Sequence, residues 1–288
     1  MFKGVGTALI TPFTESGVDY KALDRIIDLQ LNGKIDALCV CGTTGEPATM
    51  SEEERIEVMK FAIKKVKGRM PVIAGTGCNS TSSTIKASIA AEKLGADGLL
   101  IVTPYYNKAT QDGLIAHYNA IADSVGIPII VYNVPGRTGL NMLPTTFAKI
   151  AEHKNIGGMK EASGNMEQIS EMGRLTAGKI NLYSGDDSII VPVLSVGGSG
   201  VISVASNVIP SFVKELVDSY MKGDAKKALS MQFKMSPLVK SLFSEVNPIP
   251  VKKAAAIMGL CNARMRLPLT EMTEANAIIL EKNLREFI

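Results

Sequence analysis

Residues 98–132 read GLLIVTPYYNKATQDGLIAHYNAIADSVGIPIIVY, and this stretch decides the fold. Gly98–Val102 is a short apolar run closed by Thr103-Pro104. Gln111–Ser124 follows with apolar residues at helical spacing, and Ile129–Tyr132 is a second short apolar run. Strand, helix, strand is a βαβ unit. Strands that are apolar throughout, with no polar alternation, suit a parallel sheet buried on both faces.

The same unit recurs in both directions from this stretch. Strands are expected at Gly4–Leu9, Ala37–Val40, Val72–Ala74, Gly98–Val102, Ile129–Tyr132, Gly157–Lys160, Asn181–Tyr183 and Gly200–Val204. Helices are expected at Tyr20–Asn32, Ser51–Val66, Ser80–Lys93, Gln111–Ser124, Pro144–Glu152, Met166–Thr176, Ile189–Val196 and Pro210–Met221. Ser51 with Glu54 is a capping box, a helix-start signal. Eight strands, each followed by a helix, predict an α/β fold of the (β/α)8 TIM-barrel type, and the 288 residues suit one such barrel of ~250 residues with an extension. A doubly wound sheet, usually with fewer units, is the alternative. The barrel is assigned to residues 1–223 and a C-terminal helical extension to 224–288. Within the extension, helices are expected at Ala225–Phe243, Val251–Met258 and Thr273–Phe287, the first two separated by Asn247-Pro248-Ile249-Pro250.

Composition narrows the function classes. Hydrophobic residues make up 46% and Trp is absent, so a large core must be aliphatic. The net charge is +3 with lysines and arginines scattered, which argues against a nucleic-acid partner. Lys64-Lys65 and Lys226-Lys227 read as solvated helix faces. No apolar run approaches the ~20 residues of a membrane span, and Met1–Phe13 does not read as a signal peptide. Cys39 and Cys41 alternate along an apparent strand and are expected to point the same way as small core residues; with Cys78 and Cys261 they form no C-x-x-C pair. A reduced, cytoplasmic setting is the expectation.

A parallel barrel places its site at the C-terminal ends of its strands. Lys160 ends an apolar strand, where burial disfavours a charged amine and the neutral amine is the carbonyl nucleophile; the bland alternative is a salt bridge, for which adjacent Glu161 points the wrong way. Tyr132 ends the neighbouring strand as a proton donor or acceptor, or as plain core. The Gly42-Thr43-Thr44-Gly45 turn offers hydroxyls and backbone N–H groups to a carboxylate, or only caps a helix. Arg137 is either a bidentate carboxylate clamp or a surface arginine. Gly197-Gly198-Ser199-Gly200 precedes a strand, whereas a dinucleotide loop follows one, so no such cofactor is expected. Asp186-Asp187 reads as a helix cap. Only His117 and His153 are present, both placed on helices, too few for a zinc aldolase site; neither metal nor cofactor is expected.

Gly42-Thr43-Thr44-Gly45-Glu46, Tyr132-Asn133-Val134-Pro135-Gly136-Arg137-Thr138 and Lys160-Glu161-Ala162-Ser163 together resemble the dihydrodipicolinate synthase / N-acetylneuraminate lyase family. The similarity runs from Gly6-Thr7-Ala8 to Asn247-Pro248-Ile249-Pro250-Val251-Lys252. The resemblance implies a class I aldolase in which Lys160 condenses with pyruvate, Tyr132 relays protons with Thr43, Tyr106 of a neighbouring subunit completes the relay, Thr44 holds the pyruvate carboxylate, and Gly185 and Ile202 line the pocket. Thr43-Thr44 with Arg137 matches the synthases, in which this arginine binds L-aspartate-4-semialdehyde; sialic acid and keto-deoxy sugar acid lyases usually lack it. A keto-acid sensor on the same fold would need no nucleophile with a proton relay. The implied product is a cyclic hydroxylated dicarboxylate, the first committed step toward diaminopimelate and lysine, made by a homo-oligomer, a dimer of tight dimers. Lysine-inhibited members bind lysine in a cleft matched here by Ala48, Glu52, Arg55, Asn79, Ser83 and Tyr105. Histidines stand there where this chain has Glu52 and Arg55, and a glutamate where it has Ser83, so lysine is expected not to inhibit.

Overall fold

The computed structural model describes all 288 residues, Met1–Ile288. Eight short strands close into one barrel: β1 (Gly4–Ala8), β2 (Ala37–Val40), β3 (Val72–Gly75), β4 (Gly98–Val102), β5 (Ile129–Asn133), β6 (Ile156–Glu161), β7 (Asn181–Ser184) and β8 (Gly200–Ser203). Each strand pairs in parallel with the next, and β8 pairs with β1 through Gly4↔Gly200 to Thr7↔Ser203. This closure excludes the doubly wound alternative. Its seam depends on glycine: Gly200 has φ +151°, and a Cβ there would lie 1.8 Å from the Gly4 carbonyl oxygen.

Helices α1 (Tyr20–Asn32), α2 (Glu52–Val66), α3 (Thr81–Lys93), α4 (Gln111–Asp123), α5 (Pro144–Ile150), α6 (Met166–Thr176), α7 (Ile190–Ser195) and α8 (Pro210–Met221) follow the eight strands in turn. The core therefore has two unequal parts. One apolar cluster of 63 buried residues lies mostly between strands and helices, while only 11, including Cys39, Leu100, Tyr132, Tyr183 and Ile202, fill the barrel interior.

Helix starts follow capping chemistry. The capping box expected at Ser51 is present: the Ser51 Oγ accepts from Glu54 N at 3.2 Å, and Glu54 Oε2 accepts from Ser51 N at 3.1 Å; Ser80 likewise caps α3. Three expectations are corrected. First, α5 stops at Ile150, so His153 lies in the turn beyond it. Second, Cys41 lies past the end of β2 with φ +55°, which turns its side chain out of the barrel; its thiol donates to the Arg55 carbonyl at 3.8 Å, while Cys39 stays inside. Third, Asn247 and Pro248 do lie between α9 and α10, but α10 begins at Ile249 rather than Val251, with Pro250 in its first turn, where a missing N–H is tolerated. A two-stranded hairpin, Phe13–Thr14 with Gly17–Val18, and a one-turn helix, Pro135–Thr138, carry too few residues to show a period.

Residues 224–288 supply α9 (Ala225–Leu242), α10 (Ile249–Ile257) and α11 (Glu274–Leu284). Here α9 packs on α8 and α11, and α10 packs on α11. The α10 residue Lys252 is fully buried and ion-paired with Glu46, which follows the Thr43–Gly45 turn. The same ammonium donates to the Arg264 carbonyl at 3.1 Å and lies 4.3 Å from the Phe13 ring centroid. Arg266 stacks on that ring at 4.1 Å and grips Glu54 of α2 with two bonds of 2.6 and 2.7 Å. Burial pushes the Lys252 ammonium below its ordinary pKa, opposed by Glu46.

Removing one partner of a buried pair leaves an uncompensated charge, at a cost of ~3–5 kcal/mol. Lys252→Met is therefore expected to lower the thermal midpoint sharply, and adding Glu46→Gln to recover most of the loss. Circular-dichroism melts of the single and double variants check this; a single variant that melts with the unsubstituted chain would show that the pair adds no stability.

Candidate active site

The register of β5, β6 and β7 sets Tyr132, Lys160 and Tyr183 at one level of the barrel. Lys160 is 5% exposed, and its Nζ lies 4.3 Å from the centroid of the Tyr132 ring. No carboxylate pairs with it. Glu161, its neighbour in sequence, points to the other side, as strand alternation requires. There Glu161 accepts from Asn133 Nδ2 at 2.9 Å and from Ser163 N at 2.7 Å. Burial raises the Glu161 pKa, with those hydrogen bonds opposing. Of the two tyrosines flanking Lys160, Tyr183 commits its hydroxyl to the Phe2 carbonyl at 2.5 Å and stacks on the Phe2 ring at 4.5 Å. Tyr132 instead lines a cavity of about 370 Å³ at the mouth. Beneath them, burial pushes the Cys39 thiol up to about 12 against the pull of Lys160, so it stays a neutral filler.

Gly185 follows β7 and its N–H donates to the Glu161 carbonyl at 2.7 Å. A Cβ at this position would lie 2.6 Å from the Ala162 Cβ and 3.2 Å from the Lys160 Cε, so a side chain here would collide with Ala162 and press on the lysine. Ile202, on β8, is fully buried in the interior cluster with Tyr132.

The Thr43–Gly45 segment is a single 3-10 turn after β2. Thr43 lines the cavity; Thr44 is buried, and its Oγ1 accepts from Asn247 Nδ2 at 3.0 Å. Arg137 sits on the one-turn helix after β5, lines the same cavity, and donates from Nη2 to the Asn247 carbonyl at 2.9 Å. Thus Thr43, Tyr132 and Arg137 line the mouth cavity, Lys160 lies against Tyr132 with Gly185 beside it, Thr44 is tied to the cavity-wall residue Asn247, and Ile202 lies in the barrel interior. Tyr106 does not join them. It has φ +75°, is 88% exposed and does not line the cavity of its own chain.

Other polar groups have local work. Asp186 accepts from Ser188 N at 2.8 Å as a cap, but Asp187 is buried and accepts from the Val204 and Ala205 N–H groups at 2.9 Å each. Nowhere do three or more His, Cys, Asp or Glu residues come together in a way that could hold a metal ion. His117, on α4, is held neutral by burial, which lowers its pKa to about 4. Two features escaped the reading of the sequence. In the sequence Asn247 marks a helix boundary and the end of the family resemblance but gives no sign of its contacts with Thr44 and Arg137, and Glu46 and Lys252 are 206 positions apart, so no local signal pairs them.

A family-wide sequence profile described as "Dihydrodipicolinate synthetase family" matches residues 1–286. The 4-hydroxy-tetrahydrodipicolinate synthase of Caldicellulosiruptor bescii is 53% identical over 288 residues, spanning 100% of this chain and 97% of the relative. Among solved structures, dihydrodipicolinate synthase from Thermotoga maritima superposes with a TM-score of 0.98 at 45% identity, covering 99% of this chain and 98% of that one. The chloride-inhibited dihydrodipicolinate synthase from Acinetobacter baumannii, solved in complex with pyruvate, gives a TM-score of 0.97 at 39% identity, covering 100% and 99%. The chain belongs to the dihydrodipicolinate synthetase family.

Proposed function

From this family membership we propose that the chain is a lyase that condenses pyruvate with L-aspartate-4-semialdehyde to 4-hydroxy-tetrahydrodipicolinate, the entry step toward diaminopimelate and lysine. The observation that carries this reading is Lys160: a buried lysine with no counter-ion, against Tyr132, at the C-terminal end of a barrel strand. Residues 1–223 act as the catalytic barrel, and 224–288 wall one side of its mouth.

The Lys160 amine adds to C2 of pyruvate, and loss of water leaves an iminium. Thr44 holds the pyruvate carboxylate, and Gly185 and Ile202 shape the pocket around it. The iminium draws electrons from the adjacent methyl, which gives up a proton and becomes an enamine. Tyr132 and Thr43 carry protons in these steps. Arg137 binds the carboxylate of the semialdehyde and sets its aldehyde carbon before the enamine. A carbon–carbon bond forms there, the aldehyde oxygen takes a proton, and the iminium returns. The semialdehyde amine then attacks the iminium carbon, closes the ring and expels Lys160. Each step uses a side chain or an amine already named, so the reading calls for no metal or cofactor. A keto-acid sensor would have no use for a nucleophile with a proton relay.

Tyr106 acts in the site of a second subunit, within a homo-oligomer built from tight dimers. Its exposure and its absence from the cavity lining of its own chain support this. Lysine does not regulate the enzyme. Glu52, the one carboxylate at the matching cleft positions, is held by Lys86 at 2.9 Å, Ser83 offers only a neutral hydroxyl, and Arg55 lines the cavity as a cation. No helix is long and apolar enough to cross a membrane, consistent with the proposed cytoplasmic setting.

The proposal is tested by treating the chain with pyruvate and borohydride and mapping peptides by mass. A reduced pyruvyl group on Lys160 is expected, whereas inactivation with Lys160 unmodified would sink the assignment. Mixing inactive Tyr106→Phe and Lys160→Ala chains should restore turnover, since each hybrid dimer holds one site with both residues intact; hybrids that form yet stay inactive would remove Tyr106 from the partner's site. Rates at saturating pyruvate should not change as lysine is raised through the millimolar range. Inhibition below about a millimolar, an affinity of ~4 kcal/mol, would show that the cleft still takes lysine.

A further inference from the structure

None of these steps uses Asn247, which touches the anchors proposed for both substrates. It is 6% exposed at the cavity wall. Its Nδ2 donates to Thr44 Oγ1 at 3.0 Å, its backbone carbonyl accepts from Arg137 Nη2 at 2.9 Å, and its Oδ1 is buried without a partner. A buried acceptor left unpaired weakens a fold, so stability alone does not account for an amide here. The residue is also firmly placed. It precedes α10, whose Lys252 is locked to Glu46, two residues beyond Thr44 on the same turn.

We infer that Asn247 is a positioning residue that turns the Thr44 hydroxyl into a hydrogen-bond donor toward the carboxylate of the keto acid. A hydroxyl has one hydrogen and two lone pairs. With Asn247 Nδ2 occupying a lone pair, the hydrogen is left for the substrate. A carboxylate only accepts, so a hydroxyl turned the other way would set lone pairs against an anion and lose a charge-assisted bond. An amide donates without adding charge. A lysine in its place would bring a second cation beside Arg137, and an aspartate would demand the hydrogen for itself. The inference rests on the reading that Thr44 holds the pyruvate carboxylate.

The test compares steady-state kinetics of Asn247→Asp, Asn247→Leu, Thr44→Val and the Asn247→Leu/Thr44→Val pair, with pyruvate varied at saturating semialdehyde. Melting curves establish that each variant is folded; where Asn247→Leu is not, Asn247→Ala takes its place. A bond that grips the carboxylate equally before and during reaction raises KM and spares kcat. The expected result is a KM for pyruvate raised about tenfold or more in Thr44→Val, with kcat within about threefold, a difference of ~1.4 kcal/mol in binding. Asn247→Asp should raise KM more than Asn247→Leu, and the paired variant should be no worse than Thr44→Val. A merely structural role gives the opposite ranking, because aspartate is the closer match in shape to asparagine. An unchanged KM in Thr44→Val overturns the carboxylate reading and the inference with it. A raised KM there, with aspartate milder than leucine or with the single effects adding in the pair, overturns the inference alone.

Discussion

The buried ion pair between Glu46 and Lys252 is the constraint on which the barrel mouth depends. Two charges taken out of water repay their desolvation only when their geometry and remaining hydrogen bonds are satisfied. Here the Arg264 carbonyl and the Phe13 ring complete the environment of the ammonium. The consequence is mechanical. The turn that carries Thr43 and Thr44 cannot shift without separating Glu46 from α10, and α10 cannot shift without carrying Asn247 away from Thr44 and Arg137. Barrel and extension thus meet at a point where movement of either would expose an unpaired charge.

The chain buries two lysines near this mouth and treats them differently. Lys252 has a carboxylate, a carbonyl and an aromatic ring. Lys160 has the Tyr132 ring and an apolar barrel interior, while the carboxylate next to it in sequence is turned away and occupied by Asn133 and Ser163. A fully partnered amine suits a strut. An amine without a counter-ion suits a nucleophile, and the proposed chemistry uses it as one. Gly185 belongs to the same design, since a side chain there would press on the Lys160 Cε.

Much of the fold was legible because buried parallel strands leave a plain trace: eight short apolar runs separated by amphipathic helices and punctuated by Gly, Pro and Asn. The candidate residues at the ends of β2, β5 and β6 could be located for the same reason, and their proposed roles come from the family resemblance. What the sequence hid was non-local or conformational. The left-handed backbone at Cys41 follows from how its loop packs, and nothing in residue type announces it. The hairpin at Phe13–Val18 is too short to show a period. Asn247 carries the punctuation of a helix boundary, and only folding brings its amide to Thr44, 203 positions away.

The central claim is that Lys160 is the residue that bonds to pyruvate, with the carboxylate held at the Thr43–Thr44 turn. A crystal structure of the chain soaked with pyruvate tests it most directly. The account predicts continuous density from Lys160 Nζ to C2 of the keto acid, with the carboxylate on the Thr44 hydroxyl and the Tyr132 hydroxyl close to the new bond. Pyruvate bound without a link to Lys160, or linked to another lysine, would contradict it.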